Sequence, residues 1–83
     1  MADDIKLKLG RKIRETRVKE GYSQEELASR CGLHRTYISD IERGERNLGL
    51  KNVEKIAKAL EINPEDLFKF KNKKLLTPRI GQK

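Results

Sequence analysis

Residues 35–40 of this sequence place a guanidinium, three hydroxyls and a carboxylate within six positions. These groups belong to Arg35, Thr36, Tyr37, Ser39 and Asp40. A guanidinium can donate two hydrogen bonds to O6 and N7 of guanine. The methyl and hydroxyl groups of a threonine can contact thymine or an adjacent hydrogen-bond acceptor. We therefore predict base readout by Arg35 and Thr36 first. Ser39 and Asp40 are predicted as secondary base contacts. The role of Asp40 is ambiguous, because a carboxylate can accept a hydrogen bond from cytosine N4 but is repelled by phosphates.

The residues flanking this segment carry donors that suit phosphate oxygens. They are His34, Arg43, Arg46, Asn47 and Lys51. Phosphate contacts position a protein on a duplex, whereas contacts with base edges specify the sequence. His34, at a predicted helix start, is either a helix cap or a phosphate contact. Tyr37 either contacts a base or a phosphate, or supports the helix that carries it.

Two short predicted helices would position these groups. Ser23 and Glu26 have the spacing of a capping box, which favours a helix at about residues 24–31, and Gly32 favours its end. Its buried stripe would consist of Leu27, Ala28 and Cys31. The second helix covers about residues 35–43, is buried through Ile38, Ile41 and the stem of Glu42, and is closed by Gly44.

The helical wheel of this second helix separates its buried and exposed sides. With Ile38 pointing inward and about 100° per residue, Thr36, Asp40 and Arg43 project away from the core. Arg35 lies in the first turn, the end that meets base edges when two short helices joined by a tight turn bind DNA. The segment is therefore predicted to be a helix-turn-helix.

At this point the sequence resembles a known family. The runs at residues 23–28, 32–33, 37–39 and 41–44 are similar to the helix-turn-helix of the phage-repressor/Cro (XRE) family, over about residues 5–70. A narrower stretch, residues 34–48, resembles the small controller proteins of restriction-modification systems. The resemblance implies an all-α, five-helix, lambda-repressor-like domain. It also implies a transcriptional regulator that binds a palindromic double-stranded operator as a homodimer, with RNA polymerase as a candidate further partner.

The resemblance also implies roles for residues of the first two helices. Helix 1, at about residues 5–19, has a stripe of Leu9, Ile13, Thr16 and Arg17. An arginine in such a stripe needs a partner of opposite charge. In the XRE family this arginine pairs with a glutamate near the end of the recognition helix, which here is the predicted helix at about residues 35–43. We therefore expect an Arg17–Glu42 ion pair that fixes orientation more than stability. Gln24, with its backbone amide at a helix N-terminus, is expected to contact phosphate.

The rest of the domain is predicted to complete the core and to form a dimer interface. Helix 4 covers about residues 50–60, and the Asn63-Pro64 start favours a fifth helix at about residues 64–70. The apolar residues Ile62, Leu67, Phe68 and Phe70 are predicted to form the homodimer interface. Two alternatives stay open: Leu67 and the rings complete the monomer core, or the domain is an antitoxin or anti-repressor type of protein-binding module with DNA binding secondary.

Composition sets the scale of the molecule. The 83 residues, 35% hydrophobic and 40% charged, suit one small domain, here residues 1–70, followed by a basic tail at residues 71–83. We expect the tail to be flexible, a basic arm or a clasp across a dimer being the alternatives. Of the net charge of +7, five positive charges lie in this tail, which leaves +2 for residues 1–70. DNA affinity must then come from a local basic face.

Several function classes are not expected. The chain has one histidine, one cysteine and no glycine-rich phosphate loop, so we predict no enzyme, no metal site, no cofactor and no small-molecule ligand. Cys31 is expected to be a packed thiol. With neither a membrane span nor a signal peptide, the expected location is the cytoplasm.

Overall fold

The computed structural model describes residues 4–70, which form four α-helices and one short 3-10 helix. The elements are α1 (Ile5–Lys19), α2 (Gln24–Cys31), α3 (Arg35–Glu42), α4 (Leu50–Ala59) and the 3-10 helix (Pro64–Phe68). No strand occurs among these residues, which confirms the all-α expectation for this part of the chain. The predicted tail, residues 71–83, lies outside the described residues.

Local signals determine where the first helices begin and end. The Asp4 carboxylate accepts a hydrogen bond from the backbone N–H of Lys6 (2.8 Å), and the Ser23 hydroxyl accepts one from Glu26 (3.0 Å). These side chains satisfy backbone donors that have no partner within the helix. Gly32 ends α2 in the left-handed conformation, with φ of 71°, which glycine adopts without steric cost.

The core lies between the helices and collects one apolar face from each. α3 packs against α1 and α2, while α4 packs against α2 and the 3-10 helix. The buried core residues are Leu9, Ile13, Leu27, Ala28, Cys31, Ile38, Ile41, Val53, Ile56, Ala57, Leu60 and Leu67. With α3 supported on two sides, its position is fixed by packing rather than by its own eight residues, which would be a marginal helix alone.

α1 and α3 approach each other closely at Gly10. A Cβ atom at this position would lie 2.3 Å from the backbone oxygen of Ile41 and 2.8 Å from that of Glu42. Only a residue without a side chain therefore fits between the helices. This contact determines how deeply the C-terminal end of α3 is seated on α1.

The prediction of a fifth α-helix at about residues 64–70 is wrong. The segment forms a 3-10 helix of five residues, Pro64–Phe68, and Lys69 is already extended. Only Leu67 is fully buried here, so a longer α-helix would have had no further apolar face to cover. The tighter 3-10 geometry is common in short helical segments of this length.

None of the helices within residues 4–70 is both long enough and apolar enough to cross a lipid bilayer.

Candidate nucleic-acid interface

The first turn of α3 presents two of the predicted base-reading residues to solvent. Arg35 and Thr36 are exposed, whereas Ile38 and Ile41 on the opposite face are buried. Within residues 4–70, neither Arg35 nor Thr36 hydrogen-bonds another side chain. His34 precedes them as the N-cap in an extended conformation, and its side chain does not cap the helix. The guanidinium and the threonine hydroxyl are therefore available to an external ligand.

A buried polar network holds the other end of α3 against α1. Glu42 Oε2 accepts a hydrogen bond from Arg17 Nε (2.7 Å), and Oε1 accepts from Arg17 Nη2 (3.0 Å). Arg17 also donates to the backbone oxygen of Tyr22 (2.8 Å). This is the ion pair that the resemblance implies. Its two parallel bonds fix the relative rotation of α1 and α3.

Gln24 joins the same network. Its side-chain amide donates to Glu42 Oε1 (3.0 Å), so this donor is already engaged within the protein. The backbone N–H of Gln24 lies at the first position of α2, where the helix dipole favours an anion. A phosphate contact by Gln24 would therefore use the backbone amide, with the side chain holding the start of α2 in place.

Asp40 differs from the sequence-based expectation, because its carboxylate is engaged by two arginines. Oδ1 lies 2.6 Å from Arg43 Nη2, and Oδ2 lies 3.2 Å from Arg46 Nη2. Arg43 also bonds the Ser39 hydroxyl and Glu45 Oε1. We call Ser39, Asp40, Arg43, Glu45 and Arg46 the arginine cluster. Its four ionised side chains sum to zero charge.

Tyr37 supports α3 and the loop that follows it. The hydroxyl of Tyr37 accepts a hydrogen bond from Asn52 Nδ2 of α4 (2.9 Å), and the guanidinium carbon of Arg46 lies 5.0 Å from the ring centroid. The ring thus links α3, α4 and the arginine cluster. Two other predicted phosphate contacts, Asn47 and Lys51, are exposed, in the loop after α3 and in the first turn of α4.

The four predicted dimer residues do not form one exposed surface. Leu67 is 0% exposed and belongs to the core, so its assignment to an interface is wrong. Ile62 is half-buried and lines a different groove, together with Lys12 and Glu15 of α1. Phe68 is exposed, and its ring centroid lies 6.2 Å from that of Phe70, in an edge-to-face arrangement.

Sequence reasoning missed two residues of the apolar surface around Phe68. Leu50 is 85% exposed, and Ile5 is also exposed; both line one groove with Phe68. Leu48 and Val53 also line this groove. We call Ile5, Leu50 and Phe68 the apolar patch. Spacing alone would not have identified Leu50 as exposed, because it precedes the buried Val53 of α4 by three positions.

Among residues 4–70, no three His, Cys, Asp or Glu side chains are close enough to bind a metal ion. Cys31 is buried, and burial raises the pKa of its thiol above the ordinary value. These properties are those of a packing residue.

Comparisons with known proteins agree with this geometry. The family model for the helix-turn-helix matches residues 13–67. Control protein C.BamHI of Bacillus amyloliquefaciens is 56% identical over 71 residues, covering 84% of this chain and 88% of the relative. The family model begins within α1 and covers α2, α3 and α4 completely.

Solved structures resemble the fold as a whole. The restriction-modification controller protein C.AhdI from Aeromonas hydrophila has a TM-score of 0.75 and 48% identity, over 76% of this chain and 96% of that one. The controller protein C.Esp1396I, solved as a tetramer with its natural 35 base-pair operator, has a TM-score of 0.73 and 40% identity, over 81% and 88% of the two chains. This chain therefore belongs to the helix-turn-helix family of DNA-binding transcriptional regulators.

Proposed function

We propose that this protein is a restriction-modification controller that binds a palindromic operator as a homodimer. The observation that carries the proposal is the free first turn of α3, where Arg35 and Thr36 project from a helix held on both sides by packing and by the Arg17–Glu42 pair. A helix presented in this way fits the major groove of B-form DNA. The relatives named as controller proteins, and the operator complex of one of them, support the same conclusion.

The exposed residues divide into two kinds of contact. We propose that Arg35 and Thr36 read bases, with Ser39 as a secondary contact. The groups proposed to bind phosphate are the backbone amide of Gln24 and the side chains of His34, Asn47 and Lys51. Because phosphate contacts act on every sequence alike, the preference for one operator would come from α3.

We propose that the apolar patch forms the homodimer interface. Burying exposed leucine and phenylalanine side chains contributes about 1.5–3 kcal/mol each, and here these side chains lie around one groove. We propose that Phe70 also contributes to this interface, because its ring contacts that of Phe68. A two-fold interface would direct the α3 helices of the two copies to successive turns of the duplex. A palindromic site requires this arrangement, because its two half-sites are related by the same two-fold symmetry.

The dimer is tested without DNA by sedimentation equilibrium. We expect a dimer for the wild-type protein, a shift to monomer for Leu50→Glu, and a dimer for the control Val18→Glu. Val18 is also exposed, at 58%, but belongs to α1 outside the patch. A wild-type monomer at tens of micromolar, or a Leu50→Glu variant that still dimerises like the wild type, would contradict the proposed interface.

Operator binding is tested with duplexes from the region upstream of the gene that encodes this chain. We expect a protected palindromic site in footprinting and affinity at least about a thousandfold above that for unrelated DNA. Uniform affinity for all duplexes would argue against the proposal. Contact with RNA polymerase and action in the cytoplasm belong to the same proposal. In vitro transcription from the adjoining promoter tests whether the bound protein changes polymerase activity.

A further inference from the structure

We propose that Asp40 is a specificity-determining positioning residue, which holds Arg43 and Arg46 in one arrangement and suppresses binding to DNA that lacks the operator. The inference rests on the proposed DNA-binding function. It concerns residues that sequence reasoning assigned separately, Asp40 to base readout and the two arginines to phosphate. In the structure these three side chains form one unit.

The geometry of the arginine cluster makes Asp40 its centre. Each carboxylate oxygen takes one guanidinium, at 2.6 Å for Arg43 and 3.2 Å for Arg46. The carboxylate is covered by its partners: the Asp40 side chain is 20% exposed, whereas those of Arg43 and Arg46 are 53% and 49% exposed. Asp40 is thus the inner residue and the arginines are the outer ones.

Additional contacts restrict each arginine. Arg43 is bound by Ser39 and Glu45 as well as by Asp40. Arg46 lies over the Tyr37 ring, and that ring is itself held through its hydroxyl by Asn52. Both guanidinium groups are therefore held in one arrangement before DNA binds, and a phosphate that does not match this arrangement can be contacted only by breaking these bonds.

The position of Asp40 on α3 connects this cluster with sequence discrimination. Asp40 follows Thr36 by four residues, so the two side chains are neighbours on the same face of the helix. The Asp40 carboxylate beside the base-reading turn cancels positive charge of the arginine cluster that would otherwise attract DNA of any sequence. Tight binding then depends more on the base contacts of Arg35 and Thr36, which only the operator provides.

The test compares Asp40→Asn with Glu45→Gln. Both substitutions remove one negative charge from the arginine cluster. Asp40→Asn loosens both arginines, whereas Glu45→Gln leaves Asp40 bound to Arg43 and Arg46. The measurement is affinity for the operator and for an unrelated duplex of equal length, by fluorescence anisotropy over a fourfold range of salt.

For Asp40→Asn we expect tighter binding to unrelated DNA and a smaller ratio of operator to unrelated affinity. Freeing Arg46 alone would steepen the log–log salt slope for unrelated DNA by about 0.9, and freeing Arg43 as well would steepen it by about 1.8, which is about a threefold to tenfold larger loss over the fourfold range. We expect Glu45→Gln to change the slope by less than half as much and to preserve the ratio. Equal effects of both substitutions, or no effect of Asp40→Asn, would overturn the inference.

A measurement on the free protein separates this inference from the proposed function. Nitrogen-15 relaxation of the arginine Nε–Hε groups should show Arg43 and Arg46 ordered in the wild type and Arg46 mobile in Asp40→Asn. Equal mobility of Arg46 in both proteins would refute the role of Asp40 even where the wild type binds its operator. A wild-type protein that shows no operator preference, with both arginines ordered, would instead contradict the proposed function.

Discussion

Arg17 of α1 and Glu42 of α3 form a two-bond ion pair in which the glutamate side chain is only 3% exposed. Removing one partner of such a pair leaves the other charge buried without compensation, at a cost of about 3–5 kcal/mol. We therefore expect Arg17→Met to lower the free energy of unfolding by about this amount, measured by urea denaturation.

The double substitution Arg17→Met with Glu42→Leu is the control for this pair. It removes both charges, so we expect it to cost less than the sum of the two single substitutions. A single Arg17→Met change that costs less than about 1 kcal/mol would show that solvent or Gln24 compensates for the lost guanidinium.

Arg35 and Lys51 offer a contrast between base readout and phosphate contact. We expect Arg35→Ala to weaken operator binding by about 1–3 kcal/mol and to relax discrimination at one base position. Lys51→Ala is the matched control, expected to reduce the salt slope by about 0.9 with the sequence preference unchanged. Titrations on operator duplexes with single base-pair changes distinguish the two. An Arg35→Ala variant that binds the operator as tightly as the wild type would exclude Arg35 from readout.

The close approach of α1 and α3 at Gly10 predicts a position that tolerates no side chain. We expect Gly10→Ala to destabilise the protein by about 3 kcal/mol, the upper part of the range for overpacking, because the obstructing atoms are backbone oxygens. Gly49→Ala, where a Cβ atom has open space, should change stability by less than about 1 kcal/mol. Thermal unfolding of both variants checks the difference; similar melting temperatures would contradict it.

We expect the thiol of Cys31 to react slowly with disulfide reagents. It is 8% exposed, and desolvation by burial raises the pKa of the thiol, so less thiolate is present at any given pH than in an exposed cysteine. Reaction with a disulfide reagent at pH 8 should then follow the small fraction of open molecules, about a thousandfold or more slower than in urea-unfolded protein. Comparable rates in both states would show that the α2–α4 packing is open around Cys31.

The helix boundaries near the start of the chain were predictable because their signals are local. α1 and α2 have the predicted ranges, since Asp4, Ser23 and Gly32 act within a few residues of themselves. α3 ends at Glu42, one residue earlier than predicted. Such one-residue differences at a helix end carry no consequence for the face that α3 presents.

The environment of side chains after α3 was less predictable because it depends on tertiary geometry. Spacing alone did not tell which of Leu67 and Phe68 would be buried, since that depends on how the 3-10 helix meets α1 and α4. The assignment of Asp40 to base contacts missed its two arginines, three and six residues away. Arg43 was within reach along the helix, but Arg46 reaches Asp40 only through the turn at Gly44, which has a φ of 75°.

The freedom of Arg35 and Thr36 has a consequence for how such a domain can diversify. Because neither side chain hydrogen-bonds the rest of residues 4–70, exchanging them alters no packing, and surface substitutions of this kind usually change stability by no more than about 0.5 kcal/mol. Residues 35 and 36 form an interchangeable module on a fixed scaffold. Under the proposed base readout, new target sequences would be acquired there by point substitution, whereas Asp40 and its arginines would have to change in concert.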